Sequence, residues 1–132
     1  MRLNGIYPIV PTPFLDNGDV DFPSIERLID FMAGKKVHGL AIMGALGEGH
    51  KLTETERIRI IKTYRECLPM NMGLVVGVRA QATDPAKSMV LSARDLGADA
   101  ILLGPQRCSE GQAASGILPA GVRCRANSLH HP

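Results

Sequence analysis

The sequence predicts an α/β fold in which parallel strands alternate with helices. Four short apolar runs are separated by three segments whose apolar residues recur at helical spacing, which gives the order β-α-β-α-β-α-β. The runs are continuously apolar instead of alternating, as is typical of buried parallel strands. Successive runs begin roughly 25 to 35 residues apart, a spacing typical of βαβ units.

The first predicted strand lies in residues 5–14, which contain the apolar run IYPIV. A turn cluster over residues 16–19 follows it. The first predicted helix lies in residues 21–36 and ends near Gly34, beside two lysines. Its expected inward-facing residues are Ile25, Leu28, Ile29 and Met32.

The second predicted strand, residues 39–44, and the third, residues 73–78, flank a helix over residues 53–68. A capping box opens that helix, with Thr53 as N-cap and Glu56 three residues later, and a proline directly follows it. Its expected inward-facing residues are Ile58, Ile61, Tyr64 and Leu68.

Asp84 and Pro85 predict the N-cap and first residue of a third helix, which ends at Gly97. The fourth predicted strand is Ala100–Leu103, and a Gly-Pro pair stops it. The third helix is expected to turn inward Met89, Val90, Ala93 and Leu96.

Composition narrows the class of protein. The 132 residues suffice for one core, and 45% hydrophobic with 21% charged residues is ordinary for a globular domain. A net charge of +2 does not favour binding to nucleic acid or membranes. Three widely spaced cysteines predict neither a disulfide framework nor a metal site. Since neither a membrane span nor a signal peptide is evident, we expect a cytoplasmic protein.

Two architectures fit this order of elements. Four parallel strands can form a small doubly wound open sheet or part of a (β/α)8 barrel. A complete barrel takes about 250 residues, so this chain would hold the N-terminal half, with four parallel strands and three helices.

The loop after the second strand is the main candidate site. Gly44, Gly47 and Glu48 form G-x-x-G-E at the carboxyl end of that strand, where ligands of α/β proteins bind. Free backbone N–H groups there can hold an anion such as a carboxylate. The motif is neither G-x-G-x-x-G nor a phosphate-binding loop. The alternative is a tight turn that needs glycine at positive φ.

Four segments together resemble a known family. They are GIYPIVPTPFLDNGDVD, GLAIMGALGEGHKLTETER, GLVVGV and DLGADAILLGP, and they span Gly5 to Pro105. In order and spacing they resemble the dihydrodipicolinate synthase / N-acetylneuraminate lyase family. T-P-F near the first strand and G-x-x-G-E after the second are the most specific parts.

The resemblance implies a (β/α)8 barrel that acts as a carbon–carbon lyase or aldolase on pyruvate or a related 2-keto acid. A lysine on a later strand forms a Schiff base with the keto carbon, and a tyrosine on the strand before it shuttles protons. Neither a metal nor an organic cofactor is implied. Full-length relatives are expected to be homo-oligomers, commonly tetramers.

The resemblance also implies which residues hold the substrate carboxylate. Family members usually carry two hydroxyl residues between the glycines, where this chain has Ala45 and Leu46, so binding would rely on backbone amides. One relay tyrosine of the dihydrodipicolinate synthases is replaced by Gln106 and Arg107, which argues against that particular activity. The expected carboxylate-binding residues are Gly44, Ala45, Leu46 and Gly47, with Thr12 and Glu48 supporting the loop.

No residue of this chain is expected to be catalytic. None of the five lysines lies in a strand, and Lys51 alone is near the loop. Tyr7 and Tyr64 fit packing positions better than proton shuttles. The family's Schiff-base lysine and its tyrosine fall beyond the part of the chain that carries the resemblance.

Residues 106–132 show no period of 2 or 3.6 and lack the apolar run of a next strand. We therefore predict a partial barrel lyase domain over residues 1–105 and an irregular tail, either read out of frame after Pro105 or naturally disordered. An inactive, truncated lyase would account for both the family resemblance of the first part and the irregular pattern of the tail. The alternatives are a half-barrel interaction module and a small anion-binding α/β protein.

Overall fold

The computed structural model describes residues 3–80 and 82–104 in full and residues 116–119 by their backbone. A short 3-10 helix, Gly49–Lys51, lies between the first strand and the second α-helix. The α-helices are α1 (Phe22–Ala33), α2 (Glu54–Cys67) and α3 (Thr83–Asp95). The strands are β1 (Gly39–Ile42), β2 (Gly73–Val78), β3 (Ala100–Leu103) and β4 (Gly116–Pro119).

The sheet confirms the α/β prediction. Its order is β1-β2-β3-β4, and the first three strands are parallel, with Gly39 opposite Gly73 and Val75 opposite Ala100. A helix connects each parallel strand to the next, so β1 to β3 form two βαβ units. The described residues form three parallel strands where the sequence predicted four.

The missing strand is the first one, and its sequence explains why. Residues 6–10 run beside β1, where Val10 N–H donates to Ala41 O (3.0 Å) and Ala41 N–H donates to Pro8 O (2.9 Å). Pro8 has no N–H to donate, and Ile6 N–H is taken by His38 Nδ1 at 3.0 Å. The segment therefore makes a single bridge with β1 instead of a ladder.

The sheet also has a strand that the sequence did not predict. β4 pairs antiparallel with β3, with Gly116 opposite Leu103 and Pro119 opposite Ala100. It lies in the part of the chain where we expected no strand. The other residues of that tail, and the frameshift or disorder proposed for them, lie outside the described residues. The domain boundary at residue 105 stays a prediction.

The described helices all pack on one face of the sheet. Ile25 of α1, Ile60 of α2 and Ala93 of α3 join one buried cluster with alternate strand residues such as Leu40 and Leu74. The intervening strand residues form a separate small cluster on the other face: Ala41, Val75 and Ala100. Doubly wound sheets carry helices on both faces, whereas barrels carry them only outside. Of the two predicted architectures, the structure therefore matches the barrel.

The predicted end of α1 and the predicted beginning of α2 are confirmed. α1 ends at Ala33 with Gly34 as its C-cap, and Ile25 and Ile29 are fully buried. The capping box of α2 is present: Thr53 N–H donates to Glu56 Oε2 at 2.8 Å, and Glu56 N–H donates to Thr53 Oγ1 at 3.3 Å.

Two details of α2 and α3 differ from the predictions. The inward face of α2 is centred on Ile60, Ile61 and Tyr64, while Ile58 is only partly buried. α3 begins at Thr83, so the predicted cap, Asp84, and the proline after it lie inside its first turn. The helix can begin early because the first-turn N–H groups have no intrahelical partner, so a proline there costs little.

Candidate functional site

The loop that joins β1 to α2 lies at the carboxyl end of the parallel strands. Its left-handed residues are Met43, with φ of 54°, and Glu48, with φ of 51°. Gly44 and Gly47 do not have positive φ, so the tight-turn explanation for these glycines is wrong. Gly47 allows close backbone packing instead, since a Cβ there would lie 2.8 Å from Met43 N. A Cβ at Gly44 would make only an ordinary contact, 3.4 Å from Ile9 Cγ2.

The loop presents unpaired backbone donors. Within the part of the chain that the structure describes, no carbonyl accepts from the N–H of Gly44, Ala45, Leu46 or Gly47. The turn is closed one residue later, where Glu48 N–H donates to Ala45 O at 3.3 Å. Successive free N–H groups of this kind form a site for an anion.

Thr12 connects the loop to the N-terminal segment. Its Oγ1 donates a hydrogen bond to Gly47 O at 2.6 Å, across 35 residues of sequence. This contact orients the Gly47 peptide. The Gly47 carbonyl shares its peptide plane with Glu48 N–H, so the bond from Thr12 fixes the end of the loop.

Glu48 takes part in the loop through its backbone, whereas its side chain pairs with Lys51. Glu48 O accepts from Lys51 N–H at 2.8 Å, and Glu48 Oε2 lies 2.5 Å from Lys51 Nζ. The hydrogen bond from Lys51 lowers the pKa of the Glu48 carboxyl below its ordinary value. Lys51, 62% exposed at its side chain, is thus engaged with Glu48 at the surface.

A cavity of about 380 Å³ opens at the carboxyl ends of β1, β2 and β3. Gly44 and Ala45 line it, whereas Leu46 is 68% exposed and does not. Of the predicted carboxylate-binding residues, the structure therefore places two on the cavity wall. The described residues that line it are Ile9, Gly44, Ala45, Gly77, Arg79, Leu102, Leu103 and Gly104.

Gly77 of β2 supports the loop from below. A Cβ built on it would lie 2.5 Å from Met43 O and 2.7 Å from Gly44 N. Since these are backbone atoms, only glycine at this position lets the loop rest directly on β2.

The sequence reasoning missed Arg79. This residue directly follows β2 and lines the same cavity as Gly44 and Ala45. A signal was present, because a charged residue that follows a continuously apolar run marks the carboxyl end of a parallel strand.

The described residues bring no lysine to this site. Lys51 belongs to the surface pair with Glu48, and all five lysines of the sequence are exposed and absent from the cavity wall. Tyr7 lies at the opposite, amino-terminal end of the strands, where its ring packs against Gly39 and Gly73. Tyr64 is buried in the helix–sheet core, and that burial raises its pKa well above the ordinary range.

Within the described residues, none of the three α-helices has the length and apolar content that a membrane crossing requires. Over the same part of the chain, no three His, Cys, Asp or Glu side chains are grouped as metal ligands would be.

Comparison with known sequences matches residues 2–105 to the model of the dihydrodipicolinate synthetase family. The chain is 33% identical over 103 residues to a 4-hydroxy-tetrahydrodipicolinate synthase from Protochlamydia amoebophila, which covers 78% of the chain and 34% of that protein. It is 32% identical over 104 residues to an L-2-keto-3-deoxyarabonate dehydratase from Azospirillum brasilense, covering 79% of the chain and 34% of the relative.

The fold gives the same result. The crystal structure of a dihydrodipicolinate synthase from Rhodopseudomonas palustris superposes with a TM-score of 0.71 at 33% identity, over 76% of this chain and 33% of that one. The chain thus spans about a third of the length of the relatives it matches. On the family model, the shared sequence and the shared fold, the chain belongs to the dihydrodipicolinate synthetase family.

Proposed function

We propose that residues 3–104 form the keto-acid-binding part of a carbon–carbon lyase or aldolase that acts on pyruvate or a related 2-keto acid. The observation that carries the proposal is the set of unpaired N–H groups from Gly44 to Gly47, two of whose residues line the cavity. Such donors hold a carboxylate without any charged side chain. Family membership supplies the class of reaction.

In this mechanism the loop amides orient the substrate, and a lysine attacks its keto carbon with loss of water. The resulting imine withdraws electrons from the neighbouring carbon–carbon bond. A Schiff-base lysine needs a desolvated or charge-tuned position, and the five lysines here are all exposed. We propose that these 132 residues alone bind the keto acid without forming the imine.

Ala45 and Leu46 limit how the loop can act. Neither side chain has a hydroxyl, so the loop can donate hydrogen bonds only from its backbone. A proton relay through this loop is therefore not part of the proposal. The relatives include both a synthase and a dehydratase at nearly equal identity, which supports a 2-keto acid as substrate without selecting one reaction.

Two measurements on the ¹⁵N-labelled chain test this proposal. Titration with pyruvate should shift the amide resonances of residues 44–47 in a saturable way, and Gly47→Ala should abolish the shifts because its Cβ would displace the loop. Treatment with pyruvate and borohydride should add no mass. Absence of shifts in the loop would refute the binding site, and a covalent adduct would refute the statement about the lysines.

A second function is favoured by the face of the sheet that carries no helix. A cavity of about 400 Å³ opens there, lined by Leu3, Gly5, Tyr7, Ile9, Ala41, Val75 and Leu102. Ile9 on its wall is 43% exposed. We propose that a second copy of the chain covers this face, since apolar patches of this kind mark association surfaces. Ile9→Glu should then convert a dimer to a monomer in sedimentation, and a wild-type monomer at high concentration would refute it.

A further inference from the structure

The cavity at the carboxyl ends of the strands has one charged side chain on its described wall. Arg79 lines it together with Gly44 and Ala45 of the loop. The other side chains of the wall are aliphatic, from Ile9, Leu102 and Leu103. A cation that faces an apolar wall and a row of free N–H groups makes the whole cavity attractive to anions.

Arg79 has no acidic partner among the described residues. Two other arginines are paired: Arg65 Nη1 lies 3.2 Å from Asp99 Oδ2, and Arg94 Nη2 lies 2.8 Å from Asp95 Oδ1. No carboxylate of residues 3–80 or 82–104 comes within 4.0 Å of the Arg79 guanidinium, and none of their side-chain hydrogen bonds involves it. The described residues therefore leave its five N–H donors without an acceptor.

The neighbouring strand positions this guanidinium. A Cβ built on Gly104, directly after β3, would lie 3.2 Å from Arg79 Nε and 3.7 Å from Nη2. The guanidinium thus lies against bare backbone between the ends of β2 and β3, on the cavity side of the sheet edge. A side chain at position 104 would press on it.

We propose that Arg79 binds a second carboxylate of the substrate, so that this site selects 2-keto dicarboxylates over pyruvate. The inference rests on the proposed function, in which the loop amides hold the carboxylate next to the keto carbon. A guanidinium matches a carboxylate with two parallel hydrogen bonds, and this geometry favours a planar carboxylate at the far end of the substrate. Arg79 is therefore a specificity residue outside the loop.

The test compares the affinities of the 132-residue chain for pyruvate and for 2-oxoglutarate at constant ionic strength, by calorimetry and amide shifts. Wild type should bind 2-oxoglutarate about tenfold more tightly, the lower end of what a hydrogen bond between charged groups contributes. Arg79→Gln should remove the preference, because it should weaken binding of 2-oxoglutarate much more than binding of pyruvate. Arg79→Lys should keep part of it, because the charge remains without the planar fork. Arg94→Gln, which breaks a pair on α3 remote from the cavity, is the matched control.

The other possible outcomes distinguish a failure of this inference from a failure of the proposed function. Equal affinities in wild type, or a preference that survives Arg79→Gln, would overturn the role of Arg79 and leave the keto-acid site intact. A loss of pyruvate affinity in Arg79→Gln as large as the loss of 2-oxoglutarate affinity would place Arg79 at the first carboxylate and also overturn the inference. If neither acid binds, both proposals are wrong. Equal urea midpoints of the variants and wild type would show that the fold is unchanged.

Discussion

Replacement of Gly77 by alanine should displace the candidate loop and destabilise the protein. The new Cβ would lie 2.5 Å from Met43 O and 2.7 Å from both Met43 C and Gly44 N. All three are backbone atoms, so no side-chain rotation relieves the overlap. The loop would have to move by about 0.5 Å to bring the shortest separation to 3.0 Å.

The energetic cost follows from this geometry. Overpacking of a well-packed region costs about 1 to 3 kcal/mol. For Gly77→Ala we take the middle of that range or more, because the new Cβ would overlap two bonded backbone groups at once. With a urea dependence of about 2 kcal/mol per molar, typical of a small domain, a cost of about 2 kcal/mol lowers the unfolding midpoint by about 1 M.

Equilibrium urea unfolding followed by circular dichroism measures this shift, and Gly34→Ala is the matched control. A Cβ on Gly34 would lie 3.5 Å from Phe31 O, an ordinary contact, and φ of −70° suits alanine. The control should unfold at an equal or slightly higher urea concentration, because alanine restricts the unfolded chain. A midpoint for Gly77→Ala equal to that of wild type, with unchanged amide shifts in the loop, would refute the reasoning.

Three further changes test the supports of the sheet, the helix and the site. Asp99→Asn should lower the free energy of unfolding by about 1 to 2 kcal/mol in urea titrations, because Asp99 Oδ2 accepts from Arg65 (3.2 Å); an unchanged midpoint would contradict this. Thr53→Ala should cost about 1 kcal/mol by removing the N-cap. Its partner Glu56 has a pKa lowered by hydrogen bonds from Thr53. That contribution is present above the ordinary glutamate pKa of 4.5 and is lost as the pH falls through the lowered value. The difference between Thr53→Ala and wild type should therefore shrink in acid, and a constant difference would refute the linkage. Thr12→Val should weaken pyruvate binding severalfold in calorimetry, because the loop carbonyl loses its 2.6 Å hydrogen bond; an unchanged affinity would show that the loop orients itself.

Elements governed by neighbouring residues were predicted well. All three parallel strands lie inside the predicted apolar runs, and the capping box of α2 is formed by Thr53 and Glu56 as expected. A capping box is complete within four residues, so its energy depends little on the rest of the fold.

Elements governed by distant partners were predicted less well. The first segment is apolar enough for a strand, but Pro8 removes a donor and His38 takes the N–H of Ile6. β4 forms against β3 although its own part of the chain has no clear strand pattern. Strand formation is decided by the partner strand as much as by local composition.

At the candidate site, too, neighbouring residues were enough to predict the loop, whereas the role of its glycines depends on the folded conformation of the loop. G-x-x-G-E marked the right loop, but the pattern alone left open whether its glycines serve positive φ or close packing. The structure decides for close packing at Gly47, because a Cβ there would approach the backbone of Met43, which itself takes the left-handed conformation. Neither explanation applies to Gly44, where a Cβ would make only an ordinary contact with Ile9.

The sequence by itself determined the alternation of strands and helices, the helix ends and the position of the loop, because these depend on residues within a few positions of one another. Only the tertiary structure decided that the described helices share one face of the sheet, and that Gly44, Gly77 and Arg79 meet at one cavity. These residues come from two separate βαβ connections. They meet because parallel strands bring their carboxyl ends to the same edge, a consequence of sheet geometry that no local pattern contains.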